Sequence, residues 1–531
     1  MAAAIGPARA QNTQTRTLTG IPQGWSVTAN GESVTANADG SYTIAVDAVV
    51  KLIPPTEVKP TVQTVTVERN PLTVPLTMEA LTAGTIKVNS PKNGMKYKKN
   101  DEEIVVLGST TTVITVAAGD KVAFFGDGTS ITSYSGTKIT GSGDGFTCKV
   151  YGNIMSLVDE NGYETATTLT SARAFRYFFL GNTNLTDASG LLLPATTLTS
   201  QCYYGMFQSD TNLTTAPVLP ATTLASQCYT YMFAGCRNLT AAPALPATEL
   251  ASNCYDNMFA SCRNLTAAPT LPATQLANYC YSGMFNGCTS LTTPPALPAT
   301  TLADYCYREM FYGDTSLTAA PVLPATTLAK YCYYNMFRGC TGLTSVPDTL
   351  PATTLANECY NGMFQGDTSL TAAPALPATT LATSCYYNMF KGCTGLTSVP
   401  DTLPATQLAN ACYYGMFSNC TSLTAAPALP ATQLANACYQ NMFDGCTSLT
   451  ASPELPATTL LQQCYYKMFQ GCINLNSITC LATNLGAANT TIDWIKNVAT
   501  SGTFTKANSA DWSGRTGASG IPSGWNVVDA Q

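Results

Sequence analysis

Histidine is missing from all 531 residues. Its absence removes the commonest general base, the serine–histidine and cysteine–histidine nucleophile systems, and the commonest metal ligand, which argues against an enzyme. Charge is also sparse. Only 25 Lys and Arg stand against 31 Asp and Glu, for a formal net charge of -6, and no stretch gathers the basic side chains that phosphate contacts need. Nucleic acid is therefore not an expected partner. No run of about 18 apolar residues is present, so no membrane-spanning helix is expected. Gly126-Asp127-Gly128 and Gly143-Asp144-Gly145 lack the acidic alternation and terminal glutamate of a calcium loop and read as tight turns. The cysteines lack the close pairs that zinc sites use, and Cys148 and Cys480, the two outside the pattern described next, have no histidine to activate them. No catalytic residue, metal or cofactor is expected.

What the chain does have is repetition. One unit, Cys-Tyr-x-x-Met-Phe-x-Gly-Cys-Thr-Ser-Leu-Thr-x-x-Pro-x-Leu-Pro-Ala-Thr-x-Leu-Ala in its clearest form, recurs eleven times. Its lead cysteines are Cys202, Cys228, Cys254, Cys280, Cys306, Cys332, Cys359, Cys385, Cys412, Cys438 and Cys464, a spacing of 26 with two single insertions. A period of this size means a solenoid, because one unit cannot bury its apolar face alone while stacked units share a continuous core.

The 21 cysteines do not read as a disulfide framework. The second cysteine of the unit is replaced by Asp210, Asp314 and Asp367 in three copies whose lead cysteines, Cys202, Cys306 and Cys359, remain. Pairing within units would strand those three, so two ladders of buried thiols are expected, packing as small hydrophobes. Such ladders leave the redox compartment open.

Leu224, Cys228, Met232 and Cys236 recur at four-residue spacing with Phe233 beside them, which predicts an apolar stripe on a short helix. Thr222 or Thr223 is placed to cap it and Gly235 to end it. The segment from Leu239 to Pro246 is extended, because its prolines forbid a helix and confine any strand to the leucine–threonine pair. Each coil thus reads as a short strand, a proline turn and a short helix.

Phe233-Ala234-Gly235-Cys236-Arg237-Asn238-Leu239, followed by the short strand and proline turn, resembles the leucine-rich repeats of BspA-like surface proteins. The resemblance covers residues 172–475 as repeats and reaches the flanks, where Gly152-Asn153-Ile154-Met155-Ser156-Leu157 and Gly520-Ile521-Pro522-Ser523-Gly524-Trp525 resemble the caps of such arrays. It implies an α/β solenoid of leucine-rich-repeat type, about twelve coils long. It also implies extracellular recognition or adhesion at a bacterial surface, or on a phage that infects those bacteria. The unit is longer than is usual there and has Met-Phe where Ala-Phe is common.

The flanks divide into an N-terminal β-module over residues 1–81, a β-sandwich-like cap over 82–168, the solenoid over 169–476 and a C-terminal cap over 477–531. Gly40-Ser41-Tyr42-Thr43-Ile44-Ala45-Val46 alternates as a strand, Pro54-Pro55 precedes a threonine–valine stretch, and residues 112–116 and 121–125 read as further strands. A degenerate unit with Ala174 in the lead-cysteine place joins cap to solenoid, and Ile492-Asp493-Trp494-Ile495 starts like a helix. Ala8-Arg9-Ala10 looks like the end of a secretory signal whose apolar region is too short, leaving an ordinary N-terminus, a trimmed start or release by lysis as alternatives.

Comparison of units within the chain shows where the surface varies. The two places after the invariant Cys-Tyr pair change from unit to unit, while the strand side stays Thr, Ala and Pro. Tyr204, Tyr231, Tyr334, Tyr387, Tyr414 and Tyr466 fall in these variable places, among Asn and Gln, and are the candidate ligand-binding residues. The alternative is that these are solvated positions free to drift. Residues 332–384 recur almost word for word as 385–437, and so repetitive a surface suits a repetitive glycan or cell-surface protein, held by avidity. The competing expectation is a structural virion component, a fibre or decoration protein attached to a larger assembly through its N-terminal module. Either places the chain outside the cell, at a cell surface or on a virion.

Overall fold

The computed structural model describes residues 15–21, 23, 25–30, 32–45, 50–53, 66–67, 70–127, 134, 136–486 and 488–531. Ala8-Arg9-Ala10, Pro54-Pro55 and Gly128 lie outside the described residues.

Among the described residues six short strands come first: β1 (Thr15–Thr19), β2 (Ser26–Ala29), β3 (Glu32–Val34), β4 (Tyr42–Ala45), β5 (Val50–Ile53) and β6 (Thr66–Val67). They pair as two three-stranded sheets, ordered β4-β1-β6 and β3-β2-β5, around a small core of Leu18, Val27 and Ile44. The next strands are β7 (Thr77–Ala80), β8 (Gly84–Asn89), β9 (Lys96–Lys99), β10 (Val105–Val106), β11 (Thr112–Val116), β12 (Lys121–Phe125), β13 (Lys138–Ser142) and β14 (Cys148–Asn153). Alternation decides their inner faces. Ile86 and Val88, Ile114 and Val116, and Val122 and Phe124 are buried while their neighbours are not.

β15 (Leu185–Leu192) is the first strand of the solenoid, and it pairs in parallel with β14. The cap and the array therefore share a six-stranded sheet ordered β10-β9-β12-β7-β14-β15, and one apolar cluster runs from Leu76 to Trp525. At the hand-over Gly152 is left-handed (φ 84), and a Cβ there would lie 2.1 Å from the Pro75 carbonyl oxygen. Only glycine fits.

Within the array the structure corrects the expected helix. Among the described residues there is no α-helix, and the Cys-Tyr-x-x-Met-Phe segment is a run of turns. Every fourth residue is left-handed, as at Gln227 (φ 57), Tyr231 (φ 55) and Gly235 (φ 78). Alternate amides turn back three residues, Met232 N–H to Tyr229 O and Cys236 N–H to Phe233 O, while those between point along the array. Gln227, Tyr229, Tyr231, Phe233 and Gly235 donate to Ser252, Cys254, Asp256, Met258 and Ala260 of the next coil at 2.7–3.0 Å. A helix would have spent those donors on itself and left nothing to hold neighbouring coils. Ile492-Asp493-Trp494-Ile495 is corrected in the same way: it lies in turns, with Asp493 at φ 52.

On the proline side the strands are as short as the prolines dictate. Coils meet there through isolated parallel bridges such as Ala241↔Ala267, Ala267↔Thr293 and Thr301↔Thr327. Longer strands return only at the C-terminal end, where β16 (Ala451–Leu455), β17 (Ser477–Cys480), β18 (Thr503–Lys506) and β19 (Asn526–Asp529) form a parallel sheet in that order.

The turn geometry sends two consecutive side chains inward and leaves the next two nearer the surface, though Thr230, Ser282 and Asn335 among the latter are buried. Cys228, Tyr229, Met232 and Phe233 are all buried, as are their counterparts in every coil. The phenylalanines stack from Phe179 to Phe469, and the tyrosines from Tyr203 to Tyr465 at 5.6–6.2 Å with planes within 23°. Each buried ring contributes roughly 1.5–3 kcal/mol. Phe175 closes the tyrosine stack at one end and Trp494, itself against Trp512, at the other. All 21 cysteines are buried free thiols.

Candidate recognition face

The outward pairs of the turn segments make one face of the array, and the tyrosines of the variable places lie on it, each partly buried. The six expected residues do not form a single cluster. Tyr204 meets Tyr231 at 5.8 Å and Tyr177 of the degenerate coil at 5.3 Å, with the Arg176 guanidinium 4.8 and 4.9 Å from the Tyr177 and Tyr204 ring centres. Tyr387 and Tyr414 stack at 4.3 Å with planes 7° apart, and Asn441 Nδ2 donates to the Tyr414 hydroxyl at 3.1 Å. Tyr334 packs against Tyr331 at 5.8 Å and lies under Arg308 at 5.7 Å. Tyr466 stands apart from these, with the Lys467 ammonium 5.4 Å from its ring.

Sequence reasoning missed the densest part of the face. Tyr279, Tyr305 and Tyr331, each immediately before a lead cysteine, stack at 4.3 and 4.5 Å with planes 7° and 6° apart. All three are left-handed, at φ 57, 60 and 55, where other coils place Gln, Asn, Ser, Ala, Glu or, in the degenerate coil, Arg. A bulky residue there is strained, and the inter-coil hydrogen bonds hold it in place. The signal was legible: tyrosine precedes the lead cysteine in three successive units. Sequence reasoning also missed that the tyrosine after each lead cysteine belongs to the core.

Tyr204, Tyr331 and Tyr387 stay protonated and so act as uncharged hydrogen-bonding groups. Burial, then the neighbouring Tyr177, pushes Tyr204 up to about 12, and burial, then Tyr414, does the same to Tyr387. Tyr331 reaches about 12 chiefly through its 2.7 Å hydrogen bond to Glu358, with burial second. Charge on the face is locally matched. Arg176, Arg308, Arg338 and Lys467 each lie over a tyrosine ring, and Arg308 also pairs with Glu309 at 3.2 Å. Such contacts order the side chains in advance, which lowers the entropy lost on binding.

The proline side offers a different surface, an open apolar groove of about 470 Å³ lined by Pro294, Pro295, Pro298, Pro321 and Val322. Among the described residues no three Cys, Asp or Glu are grouped as metal ligands. Cys148 and Cys480 are buried, and burial pushes both thiols up to about 12, the reverse of an activated nucleophile.

The model of the BspA type leucine rich repeat region matches residues 200–344, 304–450 and 357–491, overlapping spans that together take in more than half of the chain. The protein belongs to this family, and its fold is a leucine-rich repeat built of strands and turns with almost no helix. Among solved structures it is similar to a leucine-rich repeat protein from Bacteroides ovatus, at 17% identity and a TM-score of 0.40, over 66% of this chain and 86% of that one. No curated protein matches it.

Proposed function

We propose that the protein is a non-enzymatic recognition or adhesion protein of the cell exterior that holds a repetitive surface glycan or protein against its tyrosine face. Membership of the BspA type family supports a protein-binding or adhesive role. The observation that carries the reading is the set of partly exposed, pre-ordered tyrosines repeated along one face of nearly identical coils. Each coil offers a similar weak contact, so a ligand with its own repeat gains strength through avidity. Because Arg176, Arg308, Arg338 and Lys467 already lie over tyrosine rings, the face suits an uncharged or mixed-charge ligand better than a polyanion.

The test is binding of the purified chain to bacterial cells, with and without prior periodate oxidation or protease treatment of those cells. Loss after periodate identifies a glycan, and loss after protease identifies a protein. Replacing Tyr334, Tyr387 and Tyr414 together by Ser should weaken binding roughly ten- to a thousandfold, since an exposed aromatic contact contributes about 0.5–1.5 kcal/mol. The fold should persist, because these rings lie outside the buried stacks. Unchanged binding by a variant of unchanged melting temperature would place the ligand elsewhere.

A further inference from the structure

The second thiol has a consistent partner in the eight units that carry it. Cys236, Cys262, Cys288, Cys340, Cys393, Cys420, Cys446 and Cys472 donate S–H to the phenylalanine carbonyl of the preceding coil at 2.9–3.1 Å. That carbonyl also accepts an amide of its own coil, as Phe233 O does from Cys236 N–H at 3.0 Å. Both of its lone pairs are then occupied. In the degenerate coil the same place holds Asn182, whose Nδ2 donates to the Ile139 carbonyl at 3.5 Å. Cysteine and asparagine both place a hydrogen-bond donor here, and Asn182 Oδ1 also accepts the Gly141 amide at 3.0 Å.

Asp210, Asp314 and Asp367 stand in that place in the other three units and are fully buried. In each, Oδ1 accepts a backbone amide of the preceding coil, from Asn182, Cys288 and Cys340 respectively, at 2.7–2.8 Å. In each, Oδ2 is buried without a partner. The phenylalanine carbonyls that a thiol would serve here belong to Phe179, Phe285 and Phe337, each of which accepts one amide of its own coil. An ionised carboxylate has no donor for them. It would set a buried negative charge against a carbonyl oxygen with no compensating cation.

We infer that Asp210, Asp314 and Asp367 are neutral carboxylic acids in the folded protein, each carrying its proton on Oδ2 and donating it to the carbonyl that cysteine serves in the other coils. The substitution of Asp for Cys then preserves a donor rather than introducing a charge. The surroundings agree. The titratable groups facing these carboxyls are buried thiols, Cys148 and Cys236 around Asp210, Cys288 and Cys340 around Asp314, and Cys340 and Cys393 around Asp367. Burial dominates and holds all three carboxyls well above the ordinary range.

The sign of the pH effect follows. A carboxyl raised on folding binds a proton that the unfolded chain has released above pH of about 4, so its favourable contribution is complete below that value and declines as pH rises toward the folded value. Within that window each group raises the unfolding constant by up to about tenfold per pH unit. Because the three acids sit in separate coils, the loss is distributed along the array.

Infrared spectroscopy of the intact chain at pH 7 tests this, since a protonated carboxyl has a carbonyl stretch distinct from the carboxylate bands. The expected result is a protonated-carboxyl band in the wild type that disappears in Asp210→Asn, Asp314→Asn and Asp367→Asn combined. Asparagine keeps a donor and does not titrate. Burial also pushes Asp256 and Asp444 upward, so the band is assigned by its loss in this variant. Urea unfolding between pH 4 and 8 should show a steeper decline for the wild type than for the variant. No such band in the wild type, a band unchanged in the variant, or equal pH slopes would each overturn the inference. If the triple variant does not fold, the single variants decide by whether each removes part of the band.

Discussion

The buried tyrosine stack contains an energetic contradiction that a single atom can expose. Tyr281 is 1% exposed, lies between Tyr255 and Tyr307 at 5.8 Å on either side, and has a hydroxyl with no hydrogen-bond partner. The Tyr203 and Tyr229 hydroxyls are in the same position. Leaving such a group buried and unpaired costs about 1–3 kcal/mol. Tyr281→Phe removes that cost while keeping the ring and its stacking, and forfeits only the dispersion contacts of one oxygen, a few tenths of a kcal/mol at about 0.1–0.2 per atom pair. The net expectation is stabilisation by about 1 kcal/mol or more. Urea unfolding of wild type and variant at one pH gives the difference directly, provided the m-value is unchanged. Destabilisation by more than about 0.5 kcal/mol would refute the reasoning and show that the hydroxyls are paired, by a file of buried waters running between coils.

Two further results are expected. Gly339→Ala should cost about 1 kcal/mol or more, measured by the same unfolding assay, because Gly339 is left-handed (φ 76) while its nearest neighbour leaves room for a methyl group at 3.9 Å. A cost near zero would mean the turn ladder tolerates a shift of this residue. Alkylation at neutral pH should leave the cysteines of the folded chain unmodified and reach nearly all 21 in denaturant without a reductant, since they are buried free thiols whose ionisation burial opposes; a majority found as disulfides would contradict this.

The period, the core and the position of the prolines were legible because they depend on composition at fixed spacing. Leu, Cys, Met and Phe recur, and a side chain that must be apolar in every unit faces inward in any solenoid. The conformation between them was not legible from spacing alone. Leu224, Cys228, Met232 and Cys236 lie four apart, which suits a helical stripe and a four-residue turn repeat equally. What separates the two is the left-handed residue. Asn253 and Gly235 are permissive there, but Gln201, Gln227, Tyr279 and Tyr305 are not, and they obscured the rule. The same two tyrosines, with Tyr331, hid part of the candidate recognition face, because they stand before the lead cysteine rather than after it. The core role of Tyr203 and its counterparts was missed because a phenol is expected to reach a polar partner.

The backbone amide bonds between successive Cys-Tyr-x-x-Met-Phe turn segments run one way. Each turn segment gives its axial amides to the coil that follows and its carbonyls to the coil that precedes, so a bare array would have a donor end and an acceptor end, complementary to each other. Left open, such ends are sites for head-to-tail polymerisation. At one end Tyr134 and Ile139 amides occupy the carbonyls of Ala174 and Phe178, and at the other Ser519 and Ala518 receive the amides of Asp493 and Ile495. The two caps are thus chain terminators in the polymer chemist's sense. With both ends stopped, the number of coils between them becomes a free parameter, and a duplication such as residues 332–384 into 385–437 lengthens the molecule without creating a new end.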